Sequence, residues 1–223
     1  LRAQGTPTKD ARIIFFGAGS SAIGVSTQII QLLMSEGLSE EDARQSIYLM
    51  DSKGLITDQR EDFAGLSDQK KQFAQVGVEP CDDLGALIQR VKPHALFGLS
   101  GFGPVFTREH IEMLCDHIGK PIVFPLSNPT SKAEITALDA YTWSKGKCLF
   151  AAGSPFDPVV IDGKTYTPGQ GNNMFIFPGV GFAAVSIQAE YVPDSFFLCA
   201  ARALAAIVPD EDVRSGTIYP SVS

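Results

Sequence analysis

Short continuous apolar runs alternate along this chain with longer amphipathic stretches. Arg12-Ile13-Ile14-Phe15-Phe16 ends at Gly17, and its lack of polar alternation predicts a strand covered on both faces. Beyond the glycines, Ile23, Ile29, Ile30 and Leu33 approximate a helical stripe that stops near Gly37. Ser39-Glu40-Glu41-Asp42 reads as a helix opening, a capping hydroxyl with acids in the electropositive first turn. Ile47-Tyr48-Leu49-Met50 predicts a second strand ending at Asp51, and a polar stretch follows over 57–77. Leu84 to Val91 reads as helix, Ala95 to Leu99 as strand, and Thr107 caps a helix running through His117. Pro121 to Phe124 and Cys148 to Ala152 are further strands. Ser131-Lys132-Ala133-Glu134 has capping-box spacing, which predicts a helix start. Val159-Val160-Ile161 and Thr165-Tyr166-Thr167 flank Asp162-Gly163 as a hairpin, and 180–206 alternates breakers with Ala-rich helical segments.

Strands alternating with helices at this pace imply βαβ units. The fold expected is α/β, a doubly wound Rossmann-type, mostly parallel sheet with helices on both faces, occupying residues 12–223. Residues 1–11 read as a polar lead-in from a missing N-terminal part, since the chain opens on Leu1-Arg2-Ala3-Gln4 without a Met. Right-handed crossovers place ligands at the carboxyl ends of the strands. Those ends carry Gly17-Ala18-Gly19, Asp51, Ser100-Gly101, Ser127-Asn128-Pro129 and Gly153-Ser154-Pro155.

Gly17-Ala18-Gly19-Ser20-Ser21-Ala22 fits the G-x-G-x-x-G/A form of a dinucleotide-binding loop. Gly17 permits the tight turn, Gly19 the close approach of a pyrophosphate to the backbone, and Ala22 the packing of helix on strand. The helix amides and dipole then receive the anion. The pattern is weak alone, but here it follows a predicted strand and opens a predicted helix. Asp51 stands where a carboxylate meets the adenosine ribose; it lies 34 residues after Gly17, beyond the usual spacing of about 20. The helix around 39–46 accounts for the delay, and a plain turn or cap role is the competing reading.

Composition narrows the partners. Hydrophobic residues make up 44% of the 223 and charged residues 19%, enough to build a sizeable core. No apolar run is long enough for a membrane span, and a net charge of −7 argues against a nucleic-acid partner. Cys81, Cys115, Cys148 and Cys199 are far apart and without zinc-ligand spacing, so they read as reduced thiols of an intracellular, soluble protein, cytoplasmic or in an organelle matrix. His94, His110 and His117 accompany no nucleophile or metal pattern and read as surface or core residues.

Further motifs carry a family resemblance. Leu126-Ser127-Asn128-Pro129-Thr130, Gly153 to Pro158, Pro168-Gly169-Gln170-Gly171-Asn172-Asn173 and Phe177-Pro178-Gly179, taken with the glycine loop, resemble the dinucleotide-binding domain of malic enzyme from about residue 10 to Pro220. The resemblance implies oxidative decarboxylation of (S)-malate to pyruvate and CO2, with NAD or NADP and a divalent Mg or Mn. It implies that Asn128 lies beside the nicotinamide ribose and malate, with Asn172 and Asn173 closing the same pocket. Ser100 and Gly101 join the cofactor contacts, while Ser154-Pro155 and Gly169-Gln170-Gly171 read as loop scaffolding. Full-length relatives are expected as homo-dimers or homo-tetramers.

The departures are as informative. The family's catalytic Tyr, Lys base, malate-binding Arg and metal carboxylates precede its glycine loop, and only 16 residues precede Gly17 here. No catalytic residue and no metal ligand is therefore assigned, and the isolated chain is expected to be inactive. Two other readings stay open: the cofactor domain of an amino-acid-type dehydrogenase, and a non-catalytic nucleotide-binding module. Between cofactors, Asp51 alone favours NAD. The resemblance implies that in the NADP-using branch of the family a Ser follows this Asp and a Lys shortly before an aromatic contacts the 2′-phosphate; Ser52 and Lys70 match those positions, which favours NADP.

Overall fold

The structure is a computed structural model and describes residues 1–220. In chain order it forms β1 (Ile13–Phe16), α1 (Ser20–Ser35), α2 (Glu40–Gln45), β2 (Ile47–Asp51), β3 (Gly54–Leu55) and α3 (Asp68–Lys71). There follow α4 (Leu84–Val91), β4 (Ala95–Gly98), α5 (Arg108–Ile118), β5 (Ile122–Pro125), α6 (Ala137–Trp143) and β6 (Leu149–Ala152). The last part holds β7 (Val159–Ile161), β8 (Lys164–Tyr166), β9 (Gly169–Gln170), α7 (Phe177–Ser186), α8 (Asp194–Ile207) and α9 (Asp210–Ser215).

Seven strands form one sheet in the order β3-β2-β1-β4-β5-β6-β9, parallel except for the antiparallel pair β2–β3. β1 lies between β2 and β4, with Ile14 beside both Tyr48 and Leu96. The strand order therefore reverses between β1 and β4, where the loops after the two strands diverge and leave a crevice. Burial explains the uninterrupted apolar runs. Ile13, Phe15, Ile47 and Leu49 face a core with Ala22, Ile30 and Leu33 of α1. Ile14, Met50, Leu96 and Val123 face a second core with Leu87 and Ile88 of α4 and Ile111 and Leu114 of α5. Helices cover both faces, as the alternating pattern implies.

Three details depart from the sequence reading. The capping-box spacing at Ser131 starts no α-helix: Thr130–Lys132 is a short 3-10 turn, and Glu134 turns inward to a buried position. α6 starts later, capped by the Thr136 hydroxyl, which accepts from the Asp139 amide. The Gly169–Gln170 segment is an edge strand paired to β6, more than loop scaffolding. The polar stretch 57–77 contains α3, whose Ser67 cap accepts from the Lys70 amide and brings Lys70 to the end of β2. Residues 1–11 lie against the body of the molecule: the Arg2 guanidinium donates to the Ala205 and Val208 carbonyls, and the Gln4 amide to those of His94 and Lys120.

Candidate functional site

The crevice at the carboxyl ends of β1, β2 and β4 opens into a cleft of about 560 Å³. Gly17, Ala18, Gly19, Asp51, Ser52, Lys70 and Ser100, separately singled out in the sequence, all line it, together with Phe102. The two glycines of the loop have different duties. Gly17 holds φ +121°, and a Cβ there would collide with the Leu99 carbonyl, so the turn itself demands glycine. A Cβ at Gly19 would meet nothing within 4 Å, so the backbone lies open where the loop enters α1. Gly19 also occupies the N-cap of α1, with no side chain to accept from the first-turn amides and no acid in that turn. Of the other helices around the sheet, α2, α4, α5 and α6 are closed by a side-chain cap, while α7, α8 and α9, like α1, are not. The uncapped amides and dipole of α1 suit an anion in the cleft. Ser20 and Ser21 are exposed on that first turn, and Ala22 is buried beneath it.

At one end of the cleft Asp51 is held by three donors. The Arg60 guanidinium reaches Oδ1 at 2.8 Å, the Lys70 ammonium reaches Oδ2 at 2.9 Å, and the Lys53 amide reaches Oδ1 at 3.0 Å. Burial alone would raise the Asp51 carboxyl; the bonds from Lys70, the Lys53 amide and Arg60 outweigh it and hold the group below its ordinary value. Arg60 is itself almost fully buried and is shared with Asp62.

At the other end stands a residue the sequence reading missed. Glu134 is fully buried, and its Oε1 accepts from the Ser100 amide at 2.9 Å, the Ser100 hydroxyl at 2.7 Å and the Ser127 hydroxyl at 2.5 Å. The Gly101 amide donates to Ser127 Oγ at 2.9 Å, so one carboxylate ties the loop after β4 to the loop after β5. Gly98 makes the room: a Cβ there would collide with the Glu134 carboxyl. A glycine in a strand is a signal of such close approach, but its partner lies too far along the chain to be read from spacing.

The asparagines lie outside the cleft lining. Asn128 is exposed, and its Oδ1 accepts from the Ser154 hydroxyl at 2.5 Å, joining the loops after β5 and β6. Asn172 Oδ1 accepts from the Met174 amide at 2.9 Å, and Asn173 is exposed beside it. His94 Nδ1 accepts from the Arg12 amide, and His110 Nδ1 from the Thr107 amide at the head of α5. Burial lowers both rings' affinity for a proton. Among the described residues no group of three or more His, Cys, Asp or Glu side chains is arranged to hold a metal, and no helix is long and apolar enough to cross a membrane.

The family model described as malic enzyme, NAD binding domain, matches residues 1–223. The chain belongs to this family. Among its relatives, an NADP-dependent malic enzyme of Dictyostelium discoideum is 48% identical over all of this chain and 41% of its own length. The NADP-dependent malic enzyme of Rattus norvegicus is 42% identical over 100% of the chain and 38% of its length. NADP-dependent malic enzyme 2 of Arabidopsis thaliana is 43% identical over 100% of the chain and 37% of its length. The malic enzyme domain thus spans about two fifths of the length of these relatives. A solved structure assigned as a malic enzyme (malate oxidoreductase) superposes with a TM-score of 0.67 over 99% of this chain and 52% of that one, at 17% identity. That likeness concerns the fold.

Proposed function

We propose that the domain binds NADP in the cleft at the β1–β4 switch point, as the cofactor module of a protein that oxidatively decarboxylates (S)-malate to pyruvate and CO2. The observation that carries this reading is the uncapped, side-chain-free entry to α1 at Gly19, facing a cleft whose far wall is Asp51 with Lys70. The cleft fits a dinucleotide: Gly19 and the first-turn amides of α1 receive the pyrophosphate, and the Asp51 end receives the adenosine ribose. When bound, the nicotinamide supplies the hydride acceptor.

The chain's own groups bind and orient. Both Asp51 oxygens already accept from cations, so repulsion of a 2′-phosphate is reduced, and Lys70, partly exposed, is free to turn its ammonium toward it. Ser52 lines the same wall. Ser100 and Gly101 are held by Glu134 and Ser127 where the nicotinamide half would lie. Asn128, Asn172 and Asn173 lie beyond that end as amide donors toward a carboxylate. The divalent ion that the resemblance implies has no donor set among the described residues. The same reading extends to homo-dimers or homo-tetramers of the longer protein, supported by the exposed Phe177, Phe182 and Val185 of α7, and to an intracellular compartment, supported by four unpaired cysteines.

Titration calorimetry with NADP tests the site. The chain is expected to bind NADP and to give no malate-dependent NADPH with Mg or Mn. Gly19→Val should weaken binding at least about a hundredfold by filling the space the pyrophosphate approaches. Unchanged affinity in a folded Gly19→Val variant removes the pyrophosphate from this loop. Metal-dependent turnover by the 223-residue chain overturns the assignment of catalysis elsewhere.

A further inference from the structure

We propose that a second cavity, at the amino ends of β5 and β6, is a binding site for a small polyvalent phosphate anion of about the size and charge of pyrophosphate. It lies at the opposite end of the strands from the dinucleotide cleft and measures about 320 Å³. Lys120, Lys147, Lys164 and Arg214 line it, and among the described residues no carboxylate does. Among the described residues none of these four cations forms an ion pair. In a chain with 25 acids against 18 Lys and Arg, four cations gathered without an acid create a local field opposite to that of the whole molecule. Their mutual repulsion falls when an anion occupies the space between them.

The floor of the cavity supplies an independent observation. Tyr141 is only 3% exposed and lines the cavity, yet its hydroxyl makes no hydrogen bond among the described residues. The hydroxyl is not among the enclosed polar atoms left without a partner, so it opens onto the cavity, where a ligand can reach it. Its ring stacks on Tyr166 with centroids 5.0 Å apart, and the Lys164 ammonium lies 4.8 Å from the Tyr166 ring centre. Gly146 leaves the space this pair needs, because a Cβ there would collide with the Tyr166 hydroxyl. The Lys120 ammonium donates to the Arg214 backbone carbonyl at 3.1 Å, which holds this cation against the end of α9.

The ligand class follows from these parts. The volume excludes a polymer. Lysine ammoniums are compact point charges that suit phosphate oxygens approached from several directions, and Tyr141 adds a neutral donor from below. A dicarboxylate carries less charge than four cations can balance.

Titration calorimetry with inorganic pyrophosphate at low salt tests the site, with NADP titrated into the same samples. One equivalent should bind. Gly19→Val should retain it, whereas the exposed pair Lys147→Gln with Lys164→Gln should weaken it at least about tenfold while leaving NADP affinity unchanged. Tyr141→Phe removes only the hydroxyl and should weaken binding about threefold, with an unchanged melting temperature. Lys9→Gln, an exposed lysine elsewhere, should have no effect. Loss of pyrophosphate binding in Gly19→Val, with retention in the lysine pair, would assign the anion to the dinucleotide loop and overturn the proposal. So would an equal effect of Lys9→Gln, or malate binding as tightly as pyrophosphate.

Discussion

Asp51 and Glu134 stand at opposite ends of the same crevice, and the protein accommodates the two carboxylates by different means. Asp51 is balanced by charge, with Arg60 and Lys70 on its two oxygens. Glu134, fully buried, accepts from neutral groups, the Ser100 amide and the hydroxyls of Ser100 and Ser127. Among the described residues no cation lies within ion-pair distance of it. On the proposed reading, the difference separates recognition from scaffolding. Lys70 keeps 27% of its side chain exposed, so an incoming phosphate can compete with Asp51 for it. Nothing around Glu134 is exchangeable in that way. Its bonds set the distance between the loops after β4 and β5, and so the shape of that end of the cleft.

Removing each carboxylate should therefore cost differently. Glu134→Ala strands the Ser100 amide and the Ser127 hydroxyl in a buried site and leaves a void beside Gly98. Each stranded group costs about 1 to 3 kcal/mol, and a loss of about 3 to 4 kcal/mol in unfolding free energy is expected from urea titration. Asp51→Asn keeps an acceptor for Arg60, which also retains Asp62, and should cost about 1 to 2 kcal/mol. A larger loss from Asp51→Asn than from Glu134→Ala would reverse the roles given to the two ends.

The two ends were also unequally legible. Gly17-Ala18-Gly19 follows a strand and opens a helix within a few residues, so local spacing was enough to place it, and Asp51 followed from the end of the next strand. The Ser-Lys-Ala-Glu spacing assigns Glu134 to the N3 position of a capping box, which the fold does not form. The physical reason for its position is the missing side chain at Gly98 and the donors at Ser100, 34 residues away along the chain. No periodicity reports a contact of that kind. β3 and β9, two residues each, were missed because so short a segment shows no pattern. The four cations of the second cavity come from separate elements and form a cluster only once the chain is folded.

Cofactor choice sharpens the comparison from the Asp51 side. Lys70→Gln removes the exchangeable cation and leaves Arg60 on the carboxylate. NADP affinity should fall about tenfold relative to NAD, the equivalent of about 1.4 kcal/mol. Titrating both cofactors into wild type and variant measures this ratio directly. An unchanged ratio would show that Lys70 serves only to balance Asp51, and the recognition role of this end would then rest on Ser52 and the loop alone.

The smallest effect expected lies in acid, and it isolates the charge balance at Asp51. Its folded carboxyl titrates below the ordinary value because the bonds from Lys70, the Lys53 amide and Arg60 overcome the opposing effect of burial. In the acid range the unfolded chain therefore binds a proton that the native state does not, and native stability rises with pH there. The stabilisation is fully present above the ordinary carboxyl value of 3.8 and is lost as pH falls through the lower folded value. Asp51→Asn has no proton to take up at this position. The stability gap between wild type and Asp51→Asn should hold steady from about pH 7 to pH 5 and then narrow by up to about 1 kcal/mol toward pH 3, once solvent screening is allowed for. Urea unfolding of both proteins across that range gives the gap at each pH. A gap that stays constant down to pH 3 would mean that the cations do not favour the charged form of Asp51. The two ends of the crevice would then differ in geometry and not in how they hold charge.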